Sequence, residues 1–432
     1  MLKFLNSNQR NFIQKLSIIL DKRRKVDDIK FKLVRQIIKD IKKNKDLSLI
    51  KYEKKYSKQK KIHSNDLIFS KQEINQTIKK LNNKTKKSID LAYDRILKFH
   101  KNQKFVPYKY LDKYKNFFSY ISTPIEKVGV YVPGGTASYP SSVLMNCIPA
   151  ITAGVKKIYM TTPCINKNCN PAILYAAKKC NVKEIYKVGG AQAIAAFAYG
   201  TKKINKVDKI VGPGNEFVAL AKKEVFGDVG IDMVAGPSEV TVVADKHSNP
   251  EWVAADLIAQ AEHDNNAQSI LLSNNLETIN KVNFYLKKLL KNLPKRKIAS
   301  QSIRNFGISI LVKKEKLLID IINEIAPEHL ELYIKKSEKI LKKIKNAGSI
   351  FLGKYSPEAV GDYLAGPNHV LPTAGSAKFS SGLSVYDFLK RHSIIKMSKS
   401  GIESLGASVI NLAKFENLEG HANSVKIRIK KD

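Results

Sequence analysis

Three times between residues 127 and 225 a short β-branched run ends in a glycine turn and opens into a helix of small residues. The stretches are KVGVYVPGGTAS (127–138), EIYKVGGAQAIAAFAYG (184–200) and KIVGPGNEFVALAKKEV (209–225). A strand buried on both faces reads as a continuous apolar run, and a glycine turn into a crossover helix joins it to the next parallel strand. The repeat therefore predicts an α/β fold built on a parallel sheet. EVTVVAD (239–245), which follows Gly236-Pro237-Ser238, together with QSILLS (268–273) and SILV (309–312), predicts a second α/β unit. Residues 1–125 read as helical: Val26, Ile29, Leu33 and Ile37 recur at helical spacing, and Ser70 with Glu73 forms a capping box ahead of Ile74, Ile78 and Leu81. Beyond Gly382 the spacing of Leu405, Val409, Leu412 and Phe415 predicts a return to helix. A length of 432 residues suits two or three domains, and no low-complexity linker separates them.

Charge is the loudest feature of the composition, with 76 basic against 38 acidic residues and a formal net charge of +38. Taken alone it would suggest a partner of nucleic acid. Only nine of the basic residues are Arg, however, and phosphate and base readers favour the planar guanidinium fork. The lysines are spread along amphipathic stretches such as KKNKDLSLIKYEKKYSKQKK (42–61), as a codon bias toward Lys, Ile and Asn would leave them. The reading is therefore compositional, with no nucleic-acid partner. Neither a signal peptide nor an apolar run of about 18 residues is present, so no membrane association is expected and a cytoplasmic protein is. Cys147, Cys164, Cys169 and Cys180 complete no zinc pattern and read as reduced structural thiols.

Glycine turns at the carboxyl ends of parallel strands converge on the crevice where open α/β sheets bind ligands. None of the three is a G-x-G-x-x-G or a Walker motif, so they could equally do no more than close tight turns. Tyr131, Gln192 and Asn215 lie within them and could hydrogen-bond a ribose or a carboxamide. Among the eight histidines, His63 and His100 lie in Lys-rich surroundings and are expected at the surface, and His247 reads as a turn residue. His263 follows Gln260 by three residues in DLIAQAEHDNN, so on a helix both share a face. His369 stands seven residues after Asp362, and His421 closes ENLEGH. Gln, His, Asp and His drawn from separate segments would suit a borderline metal with positions open for substrate. In APEHLELY, Pro327 favours a helix start with Glu328 and His329 in its first turn. That pair could move protons to and from an alcohol and a water, or Glu328 could simply cap its own helix.

The segments YVPGG, VGGAQAIAA, VGPGN, DMVAGPSEV, AQAEHD, APEHLEL, GDYLAGPNHVLPT and VYDFLKRHSII, in this order, resemble the histidinol dehydrogenases over nearly the whole chain. The resemblance implies two incomplete Rossmann-like, aldehyde-dehydrogenase-like domains, with small helical terminal segments that pack on a partner subunit. The implied boundaries are 1–26 for an N-terminal helical segment and 27–130 plus 240–382 for a first, discontinuous α/β domain. A second domain with the NAD-binding turns takes 131–239, and a dimerisation tail takes 383–432. It implies a homodimer, one Zn2+ per subunit, and oxidation of L-histidinol to L-histidine through the aldehyde with two NAD+. By the same resemblance Gln260, His263, Asp362 and His421 are metal ligands, and Tyr131, Gln192 and Asn215 contact NAD. Ser238, Gln260, His263, His329, Asp362, Glu416 and His421 meet the substrate, and Glu328 and His329 are the catalytic acid/base pair.

The C-terminal pattern departs from the family at Glu416-Asn417-Leu418 with a second acid at Glu419, and Glu416 is preferred by its distance from His421. His392 receives no role. The competing classes are a zinc-assisted hydrolase, for which Glu328 and a metal would suffice, and a Lys-rich nucleic-acid-binding protein.

Overall fold

The computed structural model describes residues 1–22, 28–57, 62–134, 139–164 and 169–429. Val26 of the expected helical stripe and Gly135 to Ser138 of the first glycine turn lie outside them. The chain divides into two compact units, one of residues 1–102 with 126–387 and one of 103–125 with 388–432.

The larger unit holds two all-parallel sheets. The five-stranded sheet contains β4 (Lys127–Tyr131), β5 (Lys157–Thr161), β6 (Glu184–Tyr186), β7 (Lys209–Val211) and β8 (Gly230–Ile231) in the order β6-β5-β4-β7-β8. The chain steps outward from β4 in one direction and then returns to its other side, which puts a switch point between β4 and β7. The six-stranded sheet contains β1 (Lys3–Asn6), β9 (Glu239–Ala244), β10 (Gln268–Ser273), β11 (Ile308–Leu311), β12 (His329–Tyr333) and β13 (Ser349–Leu352). Its order is β1-β11-β10-β9-β12-β13. Every residue of β9, β10, β11 and β12 is buried, as expected for strands covered on both faces.

Several expectations for the first third of the chain are corrected. The segment 1–26 is not purely helical: β1 comes first, pairing in parallel with β11 from Lys3↔Ile308 onward, and the helix Phe12–Lys22 follows. Leu5 is buried in the core beside Ile308 and Ile310, so a four-residue strand at the sheet edge outweighs the local helical tendency. The implied boundaries group the helix Asp28–Asn44 with 240–382. The stripe Val34, Ile37, Ile38 and Ile41 of the helix Asp28–Asn44 packs instead with Ala195, Phe197 and Leu220 around the five-stranded sheet, to which β4 also belongs. The capping box forms as read, with Ser70 accepting from the Glu73 N–H at 3.1 Å and Glu73 accepting from the Ser70 N–H at 2.8 Å. His100 is fully buried rather than at the surface, because its helix, Asn83–His100, lays that face on the helix Pro140–Ala153.

The smaller unit is an antiparallel sheet of β2 (Tyr108–Leu111), β3 (Phe117–Pro124) and β14 (Leu389–Lys396), ordered β14-β3-β2, with the helices Lys399–Phe415 and Glu419–Ile429. Residues 108–111 and 117–124 are therefore strand where a helix was expected, and the tail passes through β14 before it turns helical. The eight-residue register from Leu389↔Pro124 to Lys396↔Phe117 supplies the backbone partners that override local propensity. Val409, Leu412 and Phe415 are exposed, Phe415 at 87%, so this apolar stripe is not used within its own unit. No helix among the described residues is long and apolar enough to cross a membrane.

Candidate active site and metal centre

The glycine turns meet at the carboxyl edge of the five-stranded sheet. Tyr131, 3% exposed, ends β4, and its hydroxyl accepts the Gly190 N–H at 3.1 Å. Gln192, also 3% exposed, lies in the first turn of the helix Gly190–Tyr199. Asn215 is exposed and caps the helix Glu216–Val225, its Oδ1 accepting from the Val218 N–H at 3.2 Å. The turn carrying Asn215 needs glycine at 212, where φ is +114° and an added Cβ would run into the Tyr131 carbonyl oxygen. A buried ion pair clasps this turn. Lys222 and Asp232 pair directly, the Gly212 N–H donates to Asp232 at 2.8 Å, and Lys222 Nζ donates to the Gly212 carbonyl at 3.0 Å.

The acid/base candidates lie at the opposite kind of edge, the amino ends of β9 and β12. The preceding helix, Glu315–Ile325, stops at Ala326 in a left-handed conformation, and Pro327 cannot continue it. His329 therefore begins a central strand rather than a helix, and the reading of Glu328 as its own helix cap is overturned. Glu328 is 5% exposed and its Oε2 accepts from the Glu239 N–H of the neighbouring strand at 2.8 Å. His329 is 4% exposed, and its Nδ1 faces the Glu239 carbonyl oxygen at 3.1 Å. A carbonyl only accepts, so Nδ1 carries the hydrogen and Nε2 the lone pair. Among the described residues Nε2 has no hydrogen-bond partner. Burial pushes the imidazole down to about 3, which keeps the ring neutral around pH 7. His329 lines a cavity of about 350 Å³ with Phe351, Tyr355, Asp362, Asn368 and His369. Ser238 is half-buried immediately before β9.

The stretch around Gln260 supplies the third component. The helix Pro250–Ala261 ends before His263, with Glu262 as its C-cap. Gln260 and His263 therefore do not share a helical face, but the His263 N–H donates to the Gln260 carbonyl at 3.2 Å and the turn keeps them adjacent. Gln260 is fully buried. With its amide oriented to satisfy both ends, Nε2 donates to Glu358 Oε1 at 2.8 Å and Oε2 at 3.3 Å. One ligand-capable atom each from His263, Glu358 and Asp362 falls within 4.8 Å of the others. His263 keeps an exposed face, yet neighbouring protein displaces enough water to lower its pKa, while burial raises Asp362 to about 6. His369 Nδ1 sits 3.0 Å from the Asp362 carbonyl oxygen and fixes that end of the loop.

Glu358 was not found from the sequence, although SPEAVGDY places it four residues before Asp362 on one face of the helix Glu358–Tyr363. Its carboxylate also lies 3.7 Å from His329 Nδ1, and burial raises its pKa well above the carboxylate range. The residues of the tail are on the smaller unit. Glu416 caps the helix Lys399–Phe415 and His421 is exposed on the helix Glu419–Ile429.

Behind Glu358 lies a pair of acids, Glu331 buried and Asp256 half-buried. Glu331 Oε1 accepts from the Glu358 N–H at 2.7 Å, while Glu331 Oε2 and Asp256 Oδ2 have no donor among the described residues. Burial lifts Asp256 to about 6, and burial together with the neighbouring Asp256 charge lifts Glu331 well above its ordinary value. Both folded pKa values exceed the unfolded ones, so the folded chain holds more protons from about pH 4 upward. The stabilisation is present below that range and is lost as pH rises through the folded values. Asp256→Asn, which keeps a donor for Glu331, should raise the thermal midpoint at pH 8 by about 2 °C or more and change it little at pH 4. A midpoint lowered at pH 8 in a fluorescence melt would contradict this cost of charging the pair.

The chain is similar to known proteins along its full length. The family model described as histidinol dehydrogenase matches residues 21–429. A histidinol dehydrogenase of Pelagibacter ubique is 56% identical over 433 residues, covering 100% of both chains. One of Brucella suis is 46% identical over 429 residues, covering 99% of this chain and 100% of that one. The crystal structure of histidinol dehydrogenase from Elizabethkingia anophelis superposes with a TM-score of 0.92 at 38% identity, covering 99% of this chain and 98% of that one.

Proposed function

This chain belongs to the histidinol dehydrogenase family, an oxidoreductase family, and from that premise we propose that it oxidises L-histidinol to L-histidine in two steps with two NAD+. The reading is carried by one observation: a neutral, buried His329, whose Nε2 has no hydrogen-bond partner among the described residues, lines the same cavity as Asp362, which adjoins His263. The donor set of imidazole, carboxylate and amide oxygen fits zinc, and burying this many acids together without a cation is costly. Gln260, His263 and Asp362 would hold Zn2+, with Glu358 orienting the Gln260 amide through the bonds to its Nε2. When bound, the metal supplies a Lewis-acid centre for the nitrogen donors of the substrate, and NAD+ takes up one hydride at each oxidation.

The side chains handle the protons. His329 Nε2 accepts the hydroxyl proton as the carbinol carbon gives up hydride, leaving the aldehyde. Glu328 then takes a proton from a water that adds to the aldehyde carbon, and the hydrate loses the second hydride to give the carboxylate. Ser238, at the start of β9, would bind substrate beside this pair. Tyr131, Gln192 and Asn215 would hold NAD+ at the carboxyl edge of the other sheet. His421 and Glu416 of one copy would complete the site of the other in a homodimer, supported by the exposed Val409, Leu412 and Phe415 on the tail.

The test is the stoichiometry of NADH per histidinol. The metal-loaded protein should form two, and Glu328→Gln should keep the first oxidation while slowing turnover of added aldehyde about 100-fold. Glu328→Gln that oxidises the aldehyde at the unsubstituted rate rejects the role of Glu328. Hydrolysis without NADH formation would favour the zinc-assisted hydrolase.

A further inference from the structure

The helix Asp46–Tyr56 sends one charged side chain into the glycine turn that follows β6. Glu53 is 2% exposed, and its Oε1 accepts from the Gly189 N–H at 3.1 Å and from Gln192 Nε2 at 2.8 Å. Burial pushes this carboxyl up to about 7, the sign of a group that is costly to keep there. Leu49 and Tyr52 of the same helix already fill the core, so packing alone gives no reason for an acid at this position.

The acid does two things that an apolar residue could not. A carboxylate only accepts, so it forces Gln192 to present Nε2 to it and to turn Oε1 the other way. That oxygen lies over Gly190, 2.8 Å from where an added Cβ would sit, and it receives no hydrogen bond from the described residues. The acid also consumes the Gly189 N–H, while the Gly190 N–H is consumed by the Tyr131 hydroxyl at 3.1 Å. Neither glycine N–H is left to cradle a phosphate, although glycine turns at strand ends often do so.

We propose that Glu53 is a positioning residue of the dinucleotide site, fixing the Gln192 amide so that the turn offers an oxygen acceptor and therefore takes a donating group of the cofactor, a hydroxyl or primary amide, rather than a phosphate. The inference rests on the assignment of Gln192 as an NAD+ contact. A glutamine at position 53 keeps the shape, but its uncharged amide oxygen accepts more weakly from the Gly189 N–H and Gln192 Nε2, so the Gln192 amide is held less firmly.

Calorimetric titration of the full chain with NAD+ tests it. Glu53→Gln should bind NAD+ about tenfold more weakly, the scale of a hydrogen bond to a charged group, with a thermal midpoint at pH 8 that is not lowered. Gln192→Leu should also weaken NAD+, and adding Glu53→Gln to it should cost nothing more, because the two act through one amide. Unsubstituted affinity in Glu53→Gln beside weakened Gln192→Leu overturns the role of Glu53 and leaves the cofactor site standing. Unchanged affinity in Gln192→Leu overturns the cofactor assignment itself, and fully additive losses overturn the coupling. If Glu53→Gln does not fold, Glu53→Asp, one methylene short, should weaken NAD+ to a similar degree, and unsubstituted affinity there overturns the proposal.

Discussion

His329→Asn lowers kcat for histidinol oxidation by about 10²- to 10⁴-fold, the range that a positioned general base supplies. Asparagine can still donate to the Glu239 carbonyl, so the strand contact now made at 3.1 Å survives and only the unpartnered Nε2 lone pair is lost. NAD+ affinity and the thermal midpoint should therefore stay near those of the unsubstituted protein. Pre-steady-state NADH formation separates the outcomes: a slow first hydride transfer is expected, whereas an unchanged burst would remove His329 from the first oxidation.

The second large effect is on stability. Lys222 and Asp232 are 2% and 1% exposed at their side chains, and together they hold both backbone groups of Gly212. Lys222→Met leaves Asp232 buried without a counter-charge, which costs about 3–5 kcal/mol. The thermal midpoint should fall by about 6 °C or more. Adding Asp232→Asn should recover part of this loss, because an amide carries no net charge and its oxygen can still accept the Gly212 N–H. A Lys222→Met melt within 1 °C of the unsubstituted protein would mean that the pair is solvated in solution.

The sheets were legible because parallel strands buried on both faces announce themselves as apolar runs, and β4, β6, β7, β9, β10 and β11 all fall where such runs end in turns. β1, β2 and β3 were not, since four to eight residues at a sheet edge or in an antiparallel ladder owe their form to distant partners such as Ile308 and Leu389. His329 was singled out but placed on the wrong element: Pro327 signals a boundary and does not say whether a helix begins or ends there. The i,i+3 spacing of Gln260 and His263 pointed to neighbours, and they are neighbours, through a turn past the helix end. Glu358 escaped because one acid among 38 carries no mark of its burial, although its i,i+4 relation to Asp362 was in the sequence. The contact of Glu53 with Gln192 joins residues 139 apart and had no local signal at all.

Zinc content per chain is the most direct measure of the proposed centre. After purification in zinc and removal of excess, the unsubstituted protein should hold one zinc, and His263→Asn less than about a tenth of that, since an amide does not replace an imidazole in a tight site. Full zinc occupancy in folded His263→Asn, with histidinol oxidation intact, would contradict the account.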